Sequence, residues 1–434
     1  MIFLKISLPG PPVKFEPFMG IFLYNLAIAI LRLIYTAAAP RNEKARLFLK
    51  GRASFFKKFA DALHPNAQPV IWMHCASLGE FEQGRPVLET LKNEYPEHKL
   101  LVTFFSPSGY EARKNYPHAH YIFYLPWDTR KNAEKFIEIA RPVLVLFVKY
   151  EFWYHYVNEL HRRKIPLVCI SSVFRKQQIF FKWYGGFFRK MLQHFNHIFV
   201  QDHASVQLLK SINMRQVSHA GDTRFDRVWQ LAQQPDTLPL VEQFKGRDKV
   251  MVIGSCWPED LDVLMPFINE QHNRTKFIIA PHEISEQQLA SIERGLRARS
   301  IRYSKASVEG QLESFSVMII DNIGMLARLY RYGEYAWVGG AFGKGLHNIL
   351  EPACYGMPVF FGNKNYQKFP EALDLIYRGS AFAIADYHQL KKVFEMINEP
   401  GTYMLACEVS RQYVEEKRGA TNKIMSYCRN LLSA

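Results

Sequence analysis

The stretch Val70-Ile-Trp-Met-His-Cys-Ala-Ser-Leu-Gly-Glu-Phe-Glu-Gln-Gly-Arg-Pro86 decides the fold class. It opens as an apolar run at residues 70–74 and passes through Ser77-Leu78-Gly79-Glu80 into a segment, 84–94, with helical spacing. A strand that turns directly into a helix is the first half of a βαβ unit. The same alternation recurs on either side. Strands are expected at 70–74, 99–103, 143–148, 167–171 and 197–200, with a helix at 131–140 among the segments between them. Near residues 230–249 the chain turns polar and loop-like, and strands resume at 250–253, 276–280, 317–320, 335–338 and 357–360. The reading is α/β, with two doubly wound domains joined near residue 240 and facing a cleft.

Composition sets the outer limits. Of 434 residues, 48% are hydrophobic and 22% charged, which excludes a disordered or fibrous chain. Lys and Arg number 55 against 40 acids, a net charge of +15 that favours an anionic partner: nucleic acid, acidic lipid or a phosphorylated substrate. The cysteines, 75, 169, 256, 354, 407 and 428, form no CxxC pair, so they read as reduced, mostly buried thiols without zinc or redox duty.

Residues 18–39, FMGIFLYNLAIAILRLIYTAAA, form a helix about 33 Å long. Its apolar core is too long for a signal peptide, and the positive charge follows it at Arg41, Lys44, Arg46, Lys50 and Arg52. A buried core helix and a membrane anchor, spanning or monotopic, both fit. The anchor is preferred, with the body of the protein on the cytoplasmic side. Residues 1–16, with Pro9, Pro11 and Pro12, read as an irregular lead-in. The domains are therefore expected at 1–16, 17–52 (anchor and basic flank), 53–240 and 241–434, the last including the terminal helices.

Several stretches carry candidate chemistry. Glu80 opens a helix at a strand's carboxyl end, either as an acid that complements the helix dipole or as a carboxylate brought to the cleft by a tight turn at Gly79. Ser106-Pro-Ser-Gly-Tyr110 is an anion-binding loop or an ordinary turn. Glu151, in Lys149-Tyr-Glu-Phe-Trp153, holds an acceptor hydroxyl or is a satisfied structural group. Residues 174–195 interleave Arg175, Lys176, Lys182, Arg189 and Lys190 with aromatic residues, which suits a membrane interface better than stacked nucleic-acid bases, or else an amphipathic helix pair whose aromatics are core. Beyond residue 250, Gly254–Glu259 is a further anion cradle. Gly339, Gly340, Gly343 and Gly345 form a phosphate-sized loop ahead of His347, Asn348 and Glu351, whose spacing matches neither GxGxxG nor GxxxxGK[ST]. Glu351 is a ribose contact or a solvated helix acid.

Taken in order, HCASLGE, LVTFFSPSGYE, YLPWDT (124–129), KYEFW, GDTRFD (221–226), GSCWPED, the glycine loop and HNILEPACYGMPVFFG resemble the 3-deoxy-D-manno-octulosonic acid (Kdo) transferases of lipopolysaccharide assembly, from the anchor to about residue 375. The resemblance implies a GT-B glycosyltransferase of two Rossmann-like domains with an N-terminal membrane-anchor helix at the cytoplasmic face of the inner membrane. It makes Glu80 the catalytic base of an inverting, metal-independent transfer that uses no cofactor. The donor is CMP-Kdo and the acceptor the phosphorylated lipid A precursor, lipid IVA, with no nucleic acid partner. It assigns donor contacts to Pro281, His282, Ile323, Gly324, Met325, Asn348, Ile349, Leu350 and Glu351, and Ser255 is a further candidate on the phosphate side. His282 and Met325 depart from the family pattern, which more often has Arg and an acid there. A GT-B transferase using a UDP-sugar on another lipid acceptor is the alternative.

Overall fold

The computed structural model describes residues 17–64, 66–234, 237–308 and 310–433; the lead-in expected at 1–16 lies outside the described residues. The chain forms two compact units, residues 1–223 with 419–434, and residues 224–418.

The first unit is a seven-stranded parallel sheet. Its strands are β1 (Val70–Cys75), β2 (Lys99–Phe104), β3 (Tyr121–Tyr124), β4 (Pro142–Val148), β5 (Leu167–Ser172), β6 (His197–Val200) and β7 (Val217–His219), in the order β3-β2-β1-β4-β5-β6-β7. β1 is buried throughout, and β4 at every position but one. Burial on both faces is why they read as near-continuous apolar runs. Strand order reverses between β1 and β4, the point where open α/β sheets bind ligands at the strands' carboxyl ends.

The second unit repeats the plan with β8 (Val250–Cys256), β9 (Lys276–Pro281), β10 (Ser300–Arg302), β11 (Val317–Ile319), β12 (Tyr335–Val338), β13 (Val359–Gly362) and β14 (Ala381–Ile384). Their order is β10-β11-β9-β8-β12-β13-β14, all parallel, with the reversal between β8 and β12.

The units divide differently from the sequence-based expectation. The chain enters the second unit at Arg224, not near 240, and the polar stretch after 230 is partly helical. Within Pro239–Lys245, Val241 and Phe244 are fully buried beside β8 and β9. The last helix, Ala420–Leu432, belongs to the first unit. Its Ile424, Met425 and Cys428 are fully buried against Ile71, Met73 and Leu91, and Arg429 pairs with both oxygens of Glu94 at 2.7 and 2.8 Å. Gly419, at φ +106°, makes the turn that precedes it.

The N-terminal helix, Pro17–Ala38, is the one helix among the described residues long and apolar enough to cross a membrane. The cysteines are free thiols, all buried except the half-buried Cys407.

Candidate active site

In the first unit the β1 segment ends at Cys75, and Ala76–Ser77 lead into the helix Leu78–Glu94. Glu80 lies in its first turn, half-buried, and curls back so that the Ala76 N–H donates to Oε2 at 2.5 Å. Burial, joined by the charge of Glu151, pushes the Glu80 carboxyl up to about 7; the Ala76 N–H and the Lys149 cation pull the other way. Glu80 therefore changes protonation near neutral pH, the range suited to a general base.

Glu151 belongs to the loop after β4 and is buried. His74 Nε2 meets its Oε2 at 2.9 Å, and the Trp153 indole N–H donates to the same oxygen at 2.6 Å. His74 Nδ1 in turn faces Thr103 of β2, 2.8 Å from Oγ1 and 3.0 Å from the carbonyl, while the Trp72 indole N–H donates to Thr103 Oγ1 at 2.8 Å. Trp72 and His74 of β1, Thr103 of β2 and the loop after β4 thus form a buried polar chain ending at Glu151. Lys149, at φ +65°, starts this loop in the left-handed region, and its carbonyl accepts from Ser172 Oγ at 2.7 Å.

The expected tight turn at Gly79 is absent. Gly79 does not adopt a positive φ, and a Cβ there would meet open space. The Ser106 loop follows its plainer reading: the hydroxyl caps the short helix Pro107–Arg113 by accepting from Ser108 N–H.

In the second unit the candidate residues gather at the ends of β8, β9 and β12. Ser255, half-buried and at φ +51°, is the penultimate residue of β8 and holds strained backbone. The next residue but one, Trp257, stacks on His282 (centroids 4.1 Å apart), donates its indole N–H to His347 Nε2 at 3.1 Å, and carries Lys344 Nζ 4.0 Å above its ring. His282 follows Pro281 out of β9, exposed, with its N–H donated to the Cys256 carbonyl. Burial and the neighbouring His282 push the His347 imidazole down to about 4. The glycine loop is held from below by Asp260, fully buried, whose Oδ2 accepts from the N–H groups of Gly340 (2.9 Å) and Trp257 (2.8 Å). A Cβ at Gly339 would stand 2.3 Å from the Ser255 carbonyl, and Gly340, at φ +93°, could not carry one without meeting the Gly345 carbonyl at 2.5 Å.

Asn348 and Glu351 face one another, Nδ2 donating to Oε1 at 3.1 Å. Ile323 is exposed and Gly324, at φ +95°, turns the backbone beside it in open space. The side chains of Met325, Ile349 and Leu350 are buried in the apolar core, so those positions present only backbone atoms to a ligand. Sequence reading passed over His74, Trp153, Trp257 and Asp260. Asp260 carried a signal, an acid three residues after a helix N-cap; the His74 pairing joins residues 77 apart and had none.

Residues 49–227 match the family model described as 3-deoxy-D-manno-octulosonic-acid transferase (kdotransferase). A Kdo transferase of Aquifex aeolicus is 28% identical over 303 residues, covering 68% of this chain and 77% of that one. A second, from Chlamydophila psittaci, is 25% identical over 83% of this chain and 84% of its own. This chain is a glycosyltransferase related to the Kdo transferases. Its fold is also that of a UDP-GlcNAc 2-epimerase from Neisseria meningitidis, solved bound to UDP-GlcNAc: TM-score 0.59 at 14% identity, over 83% of this chain and 100% of that one. Two parallel-sheet α/β units of this kind are the GT-B plan. The family match spans both Glu80 and Glu151.

Proposed function

We propose that this glycosyltransferase moves Kdo from CMP-Kdo to the phosphorylated, acylated disaccharide precursor of lipid A, with inversion, at the cytoplasmic face of the inner membrane. The observation that carries the reading is Glu80, a carboxylate at the switch point of the first sheet whose ionisation is shifted to about 7. Kdo-transferase relatives supply the substrate class.

The acceptor hydroxyl gives its proton to Glu80 as its oxygen bonds to the anomeric carbon of Kdo. The bond from that carbon to the CMP phosphate breaks, and CMP leaves with the electron pair through an oxocarbenium-like transition state. A single displacement inverts the centre. In the second unit, the backbone of the glycine loop, the Ser255 turn and Lys344 supply donors and positive charge for the leaving phosphate without a metal. Asn348 and Glu351 are proposed for the ribose and Pro281, His282, Ile323 and Gly324 for the rest of the donor.

The test is nucleotide competition against transfer. CMP is expected to inhibit and to bind wild type and Glu80→Ala alike, with UDP inert. Inhibition by UDP and not CMP would overturn the donor assignment in favour of a UDP-sugar.

A further inference from the structure

The N-terminal helix does not stand free of the first unit. Among its described side chains, the partly or fully covered positions are Gly20 and a stripe at Ile21, Tyr24, Ile28, Leu31, Tyr35 and Ala38. The stripe's 3-4-3-4-3 spacing draws a single line down a helix. The line is in contact from end to end. Gly20 lies so close to Phe187 that a Cβ would stand 2.7 Å from the ring, Tyr24 donates to Asp128 Oδ2 at 2.5 Å, and Tyr35 stacks on Phe48 with centroids 4.0 Å apart. Ile21 to Ala38 covers roughly 26 Å of helix. Crossing a hydrocarbon core of about 30 Å in this seat would drag the folded flank of the unit through it, with the buried Asp128 and the His155–Asn25 hydrogen bond.

The rest of the helix surface is sorted as well. Met19, Phe22, Leu23, Leu26, Ile30, Leu33 and Ile34 are exposed on the side away from the stripe, with Leu33 68% exposed. Asn25, Arg32 and Thr36, spaced i, i+7, i+11, share one edge. Near the Phe187 end, Trp183 (72% exposed) and Tyr184 are also uncovered, and Lys190 is exposed on the helix Gly186–Leu192 that follows them. Past the other end come the exposed Arg41, Lys44, Arg46 and Lys50. An apolar face, a polar edge carrying a cation, exposed interfacial aromatics and cationic flanks match an anionic lipid surface.

We infer that this helix lies in the plane of the membrane, its outward face dipping into one leaflet while its inner stripe stays seated on the first unit. The inference deepens the membrane part of the proposed function and rests on it. It also gives Arg32 a place at headgroup depth, where its charge stays hydrated, as it would not at mid-bilayer.

The test uses the full chain with Cys407→Ser to remove its half-buried thiol. Phe22→Cys, Leu26→Cys, Ile30→Cys and Leu33→Cys are made one at a time, nitroxide-labelled and bound to vesicles of phosphatidylethanolamine and phosphatidylglycerol. Depth is read from oxygen and nickel-chelate accessibility. All four labels are expected at one shallow depth, about 5–10 Å below the phosphates. Depths that climb to about 15 Å and fall again along the helix would mean a span and overturn the inference. Labels left in water, or coupled to a second copy, would overturn it too. Transfer is assayed on the same preparations in detergent: uniform shallow labels without transfer would sink the catalytic reading alone, and a span with normal transfer would sink this inference alone.

Discussion

At the scale of single residues, Glu80 and Glu151 are two carboxylates kept apart in role by their surroundings. Glu151 is committed to His74 and Trp153, whereas Glu80 is held by backbone donors at Ala76 and Ser77. Removing the charge at 151 removes one of the causes that raise Glu80. Glu151→Gln is therefore expected to move the acidic limb of kcat/KM, near pH 7 in wild type, to lower pH, as read from a pH-rate profile. An unmoved limb would show that Glu151 does not act on Glu80. Because burial raises the Glu80 carboxyl above its unfolded value, its contribution to stability is present below about pH 4.5 and lost as pH rises through 7. Glu80→Gln is expected to be at least as resistant to urea as wild type at pH 8 while losing most of its transfer rate. Gly79→Ala should fold normally and weaken acceptor use; Gly340→Ala, at φ +93°, should impair donor binding by several-fold or more in a CMP titration. Sequence order made Glu80 visible, since a carboxylate in a first helical turn after a strand is a local pattern. The His74–Glu151 contact is created only when β1 and β4 pair.

Among the elements, the ten strands read from sequence are the interior ones, and those it passes over, β3, β7, β10 and β14, are the four sheet edges. Interior parallel strands are buried on both faces and announce themselves as apolar runs. The edges are short and half-covered: Tyr121, Ile122 and Phe123 of β3 are only partly buried, and β7 and β10 span three residues each. The N-terminal helix was legible by length and apolarity, but its stripe was hidden by the apolar character of the other face. That helix also touches the site's frame. Tyr24 donates to Asp128, and Asp128 accepts from the N–H groups of His155 and Tyr156 at the start of the helix Tyr154–Arg162, immediately after Trp153. Burial raises the Asp128 carboxyl to about 6 despite these donors. Tyr24→Phe withdraws one donor from the charged form and is expected to cost about 1–3 kcal/mol. The loss should be larger at pH 8, where Asp128 is ionised, than at pH 5, where it is protonated. Equal losses in urea unfolding at the two pH values would contradict this.

For the whole molecule, the second unit is one continuous segment and the first is closed by a returning C-terminal helix. Residues 224–418 expressed alone are expected to fold and bind CMP. Loss of 419–434 strips Ile424, Met425 and Cys428 from the first core, side chains worth about 1.5–3 kcal/mol each for the larger ones, and should leave residues 1–223 unable to fold stably. The sequence pattern places this helix with its neighbour in the chain because Gly419 alone marks the return locally. The two switch points, one per sheet, explain why the candidate chemistry gathers at strand ends in both units. The proposed transfer therefore rests on Glu80 as the base for a sugar carried by CMP. The most direct measurement is the mass of the product formed from CMP-Kdo and the lipid A precursor by wild type and by Glu80→Gln. A rise by whole Kdo units with wild type, and a rate lower by roughly several hundred-fold in the variant, is the expected result. No Kdo product from folded wild type, or near-normal turnover by Glu80→Gln, would contradict it.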